Sequence, residues 1–169
     1  WYFSNGGTDD IGDLYERSTG RNISEYLSEK IWQPFGMANK ASWLLGADGN
    51  EISGCCMQAS LRDFARYGLF ILQDGAINGV SILPDGWLAL ATTKRTDIDK
   101  LGAGYGYQWW TFDDGSFTAR GIFGQTIFID PKRELVVAFN GNWSKARDSE
   151  LNEKRFAFID RVRATSVLE

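Results

Sequence analysis

The chain has 169 residues, 43% of them hydrophobic and 14% aromatic, with a formal charge of −4 at pH 7. That length and composition predict one domain that buries a core without staples, and the acidic balance speaks against nucleic-acid or acidic-membrane partners, which need a concentrated basic face. No histidine is present, which removes Ser-His-Asp and Cys-His mechanisms and most zinc sites from this chain, so no metal and no cofactor is expected. No run reaches the apolar length that a bilayer span requires. Trp1, Tyr2 and Phe3 read as the interior of a folded segment, so a missing N-terminal segment is expected.

In chain order, Thr8 reads as an N-cap followed by Asp9 and Asp10, and Ile11, Leu14, Tyr15 and Ser18 have helical spacing. A helix is predicted over 9–19. Asn22 with Glu25 resembles a capping box for a second helix that Pro34 stops. Residues 41–54, with Asp48-Gly49 between apolar runs, give a hairpin signal. Cys55 and Cys56 are adjacent, where a bridge is disfavoured, and read as two reduced core thiols. Ser60 and Asp63 open a helix ending near Gln73, in which Arg62, Asp63 and Arg66 are expected to hold the helix to a neighbour. Gly75, Asn78 and Gly79 form a loop, Pro84 begins a helix containing Trp87, Leu88 and Ala91, and 92–102 is polar and irregular.

The stretch 104–141 reads as an antiparallel meander of three strand-like runs. Tyr105, Tyr107 and Trp109 alternate with Gly106, Gln108 and Trp110 in the first, and Asp113, Asp114 and Gly115 supply a turn. The second, 117–122, leads through Phe123, Gly124 and Gln125 into 126–130, and Pro131 and Lys132 turn the chain into 134–140. Gly121 and Gly124, on either side of Ile122 and Phe123, predict a bulge or a close approach by another group. A final helix over 149–164 turns Leu151, Phe156, Ile159 and Val162 inward, while Lys145, Arg147, Lys154, Arg155, Arg161 and Arg163 form a solvated face. The fold class is α+β, mainly helical over 1–103, with a meander and terminal helix over 104–169.

These residues carry a resemblance. Phe3-Ser4-Asn5-Gly6-Gly7 running into the first helix, Trp32-Gln33-Pro34-Phe35-Gly36-Met37, Ala59-Ser60-Leu61-Arg62-Asp63-Phe64, Gly104-Tyr105-Gly106-Tyr107-Gln108-Trp109-Trp110 and Gly124-Gln125-Thr126-Ile127-Phe128-Ile129-Asp130-Pro131 occur in one order. Together they resemble the penicillin-recognising serine hydrolases, a family embracing class C β-lactamases, DD-peptidases, esterases and 6-aminohexanoate-dimer hydrolase. The resemblance points to the branch nearest the last two, and implies the C-terminal part of a β-lactamase/transpeptidase-like fold lacking its N-terminal segment.

The resemblance implies an acyl-enzyme mechanism on an amide, ester or β-lactam, with a small-molecule acyl substrate as partner. In such enzymes the Ser of a Ser-x-x-Lys is the nucleophile, Lys and the Tyr of a Tyr-x-Asn shuttle protons, and a Lys-Thr-Gly-like strand flanks the site. No serine of this chain is followed by Lys three positions on, so nucleophile and lysine are expected upstream and the isolated chain is expected to be inactive. Asn5 matches the Asn of Tyr-x-Asn; Phe3 occupies the aligned Tyr position, with Tyr2 adjacent. Ala119-Arg120-Gly121, or the run from Gly121 to Gln125, stands where Lys-Thr-Gly would be.

The substrate-binding candidates are therefore Arg120, Gly121, Phe123, Gly124, Gln125, Tyr107 and Trp109. An alternative reading, motivated by Phe3, is a non-catalytic domain that binds peptide, cell-wall or carbohydrate ligands in the same cleft. An open sheet edge further implies the missing segment, a second chain or a homo-oligomer as a covering partner.

Overall fold

The computed structural model describes residues 5–98 and 103–166. The chain divides into two compact units, one ending at Asp63 and the other beginning at Phe64.

In the first unit, α1 spans Asn5–Thr19. It begins earlier than Thr8, and the Asp9 carboxylate accepts from the Gly54 N–H at 2.6 Å rather than serving the helix start. Gly20, at φ +67°, ends it by donating to the Glu16 carbonyl. Asn22 stands at the N-cap of α2 (Ile23–Leu27) without a side-chain cap bond, and the helix runs on through a π-helical turn, Ser28–Trp32. Trp32 is buried and donates its indole N–H to the Asn39 carbonyl at 2.8 Å.

The predicted hairpin is present but wider than 41–54. Strand β1 (Ser42–Trp43) pairs with β2 (Met57–Gln58), and Leu45 bridges to Glu51 nearer the turn. Glu51 ties this hairpin to α2 by accepting from the Ser24 N–H at 2.9 Å and from its hydroxyl. Cys55 and Cys56 are not reduced core thiols: they are joined as a disulfide, in a turn where Cys56 takes φ +78° and Cys55 is exposed.

The helix opened by Ser60 and Asp63 is α3 (Leu61–Leu72). Asp63 is fully buried and accepts from the Ala38 N–H at 2.8 Å, the Asn39 N–H at 3.0 Å and the Ser60 hydroxyl at 2.8 Å. It therefore holds the helix start to a neighbouring turn, as the sequence predicts.

In the second unit, the loop at Asn78-Gly79 is a two-residue hairpin turn between β3 (Ala76–Ile77) and β4 (Val80–Ser81). Both turn residues have positive φ, +52° and +81°, the combination that matches strand twist. A short helix, α4 (Trp87–Ala91), follows Pro84. The polar stretch after it contributes β5 (Thr96–Asp97), the first strand of the main sheet.

That sheet is antiparallel, with six strands among the described residues in the order β10-β9-β8-β7-β6-β5. The remaining strands are β6 (Ala103–Tyr105), β7 (Trp110–Phe112), β8 (Phe117–Arg120), β9 (Thr126–Asp130) and β10 (Leu135–Phe139). The first predicted run is thus a hairpin, β6 and β7, rather than a single strand, whereas the second corresponds to β8 and leads through its turn into β9. Run 105–110 breaks because Gln108 takes φ +65° and the Gly106 N–H turns back to the Trp109 carbonyl. A Cβ on Gly106 would lie 2.2 Å from the Ala91 carbonyl oxygen, so this turn also needs a bare backbone.

Both sheet faces are covered. Gly68 lets α3 lie close on one, since a Cβ there would come within 2.5 Å of Val136 and 2.9 Å of Ile127. Helix α5 (Ser149–Thr165), capped by the Asp148 carboxylate on the Leu151 N–H, covers the other. Its Ile159 is fully buried and Phe156 meets Phe112 edge to face, with centroids 5.9 Å apart. The basic residues of α5 are not all solvated. Arg155 is buried, and Arg163 donates from Nε to the buried Asp130 carboxylate at 2.8 Å.

Candidate functional site

The register fixes which turns share an end of the sheet. Trp110 opposes Thr118 and Arg120 opposes Thr126, so the β6–β7 turn with Tyr107 and Trp109, the β8–β9 turn with Gly121 to Gln125, and the chain leaving β10 emerge together. The Asp113 to Ser116 turn and the 3-10 turn Pro131–Arg133 lie at the opposite end.

The β8–β9 turn is closed by the Gly121 N–H to the Gln125 carbonyl at 2.8 Å, and the Gln125 Oε1 accepts from the Phe123 N–H at 3.1 Å. Its three outer carbonyls are all taken by the segment that follows β10. Ile122 O accepts from the Arg147 N–H at 2.8 Å, Phe123 O from the Trp143 N–H at 3.1 Å, and Gly124 O from Arg155 Nη1 at 3.0 Å. The Ile122 N–H makes no hydrogen bond among the described residues, and the Ile122 and Phe123 side chains are exposed.

The close approaches that the glycines permit come from the chain itself. A Cβ on Gly121 would fall 2.4 Å from Gln125 Oε1, and one on Gly124, at φ +93°, would fall 2.3 Å from the Trp143 indole. Gly141 in turn has room only for hydrogen, with Phe123 O and Gly124 C each 2.5 Å from where its Cβ would stand.

Arg120 sends its guanidinium to the α5 face, donating to Asn152 Oδ1 at 2.8 Å and lying 4.7 Å from the Trp110 ring centroid. Arg155 donates to the same Asn152 oxygen at 2.6 Å and to the Thr126 hydroxyl, and covers the Trp143 ring at 5.0 Å. Burial, reinforced by the Arg120 charge, pushes the Arg155 guanidinium down to about 10, which leaves it protonated at neutral pH. Tyr107 is exposed, tilted against Trp87 at 6.3 Å, with Arg95 5.1 Å from its ring centroid. Trp109 packs edge to face on Phe117 at 5.1 Å.

Asn5 is the first residue of α1. Tyr2 and Phe3 lie outside the described residues. The first unit holds a separate cavity of about 750 Å³, lined by Trp32, Met37, Trp43 and Met57 among others. Among the described residues no cluster of His, Cys, Asp and Glu could hold a metal ion, and no helix is long and apolar enough to cross a membrane.

The residues that hold the turn, Trp143, Arg147, Asn152 and Arg155, are not among the sequence-predicted site residues. For two of them a signal exists. Asn152, Arg155, Phe156 and Ile159 follow one another at helical spacing on the inward stripe of α5, so Arg155 belongs to the buried face that Ile159 defines.

The mixed arrangement of helices and an antiparallel sheet is that of the β-lactamase/transpeptidase fold. A family model described as beta-lactamase matches residues 1–159, and the chain belongs to that family. It is similar to 6-aminohexanoate-dimer hydrolase of Paenarthrobacter ureafaciens, 26% identical over 152 residues that cover 83% of this chain and 39% of that protein. A solved Bacillus anthracis structure, provisionally described as a 6-aminohexanoate-dimer hydrolase, superposes with a TM-score of 0.82 at 27% identity, over 95% of this chain and 43% of that one. A β-lactamase from Mycobacterium bovis shares the fold with a TM-score of 0.71 at 20% identity, over 98% of this chain and 64% of that one. The chain thus spans about two fifths of the first two relatives.

Proposed function

We propose that this chain supplies one wall of an acyl-transfer site in a serine hydrolase that acts on amides or esters. Its nucleophilic Ser-x-x-Lys then belongs to a segment upstream of Trp1. Membership of the beta-lactamase family and likeness to a 6-aminohexanoate-dimer hydrolase support the class. The observation that carries the reading is the β8–β9 turn, an exposed, glycine-bounded backbone whose carbonyls are all engaged while the Ile122 N–H is not. A fixed, unspent N–H beside a strand is what an oxyanion requires, because such a donor costs no reorganisation when charge develops on the carbonyl oxygen.

In this reading a substrate acyl group lies along Gly121 to Gln125, with Ile122 N–H as one oxyanion donor and Phe123, Tyr107 and Trp109 as apolar wall. Arg120 contributes through its backbone and by anchoring β8, since its guanidinium is engaged by Asn152. The resemblance gives Asn5, in the first unit, the part of the Asn in Tyr-x-Asn. Proton transfer by a tyrosine falls to Tyr2, as Phe3 has no proton to give.

The test uses the full-length protein and the isolated chain with p-nitrophenyl esters and the linear dimer of 6-aminohexanoate. We expect hydrolysis and an acyl-enzyme mass shift for the former and no turnover for the latter. Full-length protein with no hydrolysis and no acyl adduct would overturn the reading in favour of a non-catalytic binding domain.

A further inference from the structure

We infer that Arg155 is a positioning residue for the acyl-transfer site, acting through the Gly124 carbonyl to hold the β8–β9 turn in one conformation. The inference rests on the acyl-transfer reading and assigns a function to a residue that touches neither the proposed substrate nor the proposed oxyanion donor.

Arg155 is buried, so its cation is held only by what surrounds it. Its Nη1 reaches both Gly124 O, at 3.0 Å, and the Thr126 hydroxyl, and Nη2 reaches Asn152 Oδ1 at 2.6 Å. These acceptors are neutral oxygens, and the turn and the first residue of β9 supply two of them. A helix would be docked more simply by a carboxylate pair, as Arg163 shows at the opposite end of the sheet with Asp130 and Asp114. At this end the guanidinium instead spans the turn, with the Trp143 indole lying against both Gly124 and the guanidinium. A planar fork with several fixed donors can orient a peptide carbonyl in a way a single ammonium cannot.

Fixing Gly124 O fixes the turn that carries Ile122 N–H, since Ile122 and Phe123 carbonyls are tied to the adjacent segment through Arg147 and Trp143. Catalysis by a preset donor is sensitive to such placement, and a displacement of about 1 Å costs on the order of 10²-fold in rate. The role therefore predicts a loss in kcat with substrate affinity retained.

The experiment compares full-length wild type, R155M, R155K and R163M by amide hydrogen exchange over residues 121–125 and by steady-state hydrolysis of a p-nitrophenyl ester. R155M is expected to speed exchange in the turn by about tenfold or more relative to the sheet core. It should lower kcat on the order of 10²-fold with KM within about twofold. R155K, which keeps the charge but not the fork, falls between, and carries the comparison should R155M not fold. R163M loosens the same helix at its other end and should leave turn exchange and kcat as in wild type. Unchanged turn exchange in R155M and R155K, or an equal effect of R163M, overturns the inference by reducing Arg155 to a helix anchor. If wild type itself shows no hydrolysis, the acyl-transfer reading fails, while the exchange comparison still decides whether Arg155 fixes the turn.

Discussion

Gly124 combines two demands that only glycine meets, a φ of +93° and an indole where a Cβ would stand. G124A must either expel Trp143 or move the turn. It is expected to lower stability by about 2 kcal/mol or more, read by denaturant unfolding. Gly121 is milder, since the group it accommodates is the end of the Gln125 side chain, which can rotate away. G121A should therefore cost less than G124A in the same measurement. At the far end of the sheet, Asp114 governs acid sensitivity. Partial burial works to raise its carboxyl, but the Ser116 hydroxyl and N–H and the Arg163 guanidinium outweigh it and hold the carboxyl at about 2. The depressed folded-state value means that Asp114 stabilises the fold above its ordinary value of 3.8, and that this stabilisation is lost as pH falls toward 2. Wild type should thus lose more stability than D114N between about pH 4 and pH 2 in acid titrations followed by circular dichroism.

Among the elements, α3 shows how a single buried carboxylate sets a helix start. Asp63 collects two backbone N–H groups of the Ala38-Asn39 turn and the Ser60 hydroxyl, and D63A would leave those N–H donors without their acceptor. A loss of about 3 kcal/mol is expected by thermal unfolding, since each abandoned buried donor keeps its desolvation cost. Such caps were legible in sequence because Ser60 and Asp63 stand three apart before an apolar stripe. The α5 stripe is legible for the same reason, though charge puts Arg155 on its wet side. Charge reads as a sign of exposure, whereas the acceptors that keep Arg155 buried include Gly124 and Thr126, about thirty residues away in sequence. The β6–β7 turn was illegible for a related reason. Aromatic alternation through 105–110 mimics one strand, and the break depends on Gly106 meeting the Ala91 carbonyl, a contact that no local pattern encodes. The β8–β9 turn was located by its glycines, but what approaches them is Gln125 and Trp143 of the same chain.

At the scale of the whole molecule, the sheet has an edge that decides how the chain behaves in isolation. Strand β10 pairs with β9 along all of Leu135–Phe139, and among the described residues nothing pairs with its other side. Its residues are half-buried rather than exposed, because α3 and α5 cover the faces and leave only the backbone edge unpaired. An edge strand of five residues, Leu-Val-Val-Ala-Phe, without charge or proline, lacks the devices that keep edges apart. On the proposed reading, the segment upstream of Trp1 supplies the strand that covers this edge. The isolated chain is therefore predicted to associate along β10 as its concentration rises, and the full-length protein to show no association through that edge. Multi-angle light scattering over a concentration series separates the two, and V137K in the isolated chain should shift it toward monomer by placing a charge in the edge. A concentration-independent monomer with cooperative unfolding would show instead that β10 is closed within this chain, and would count against an upstream strand beside it.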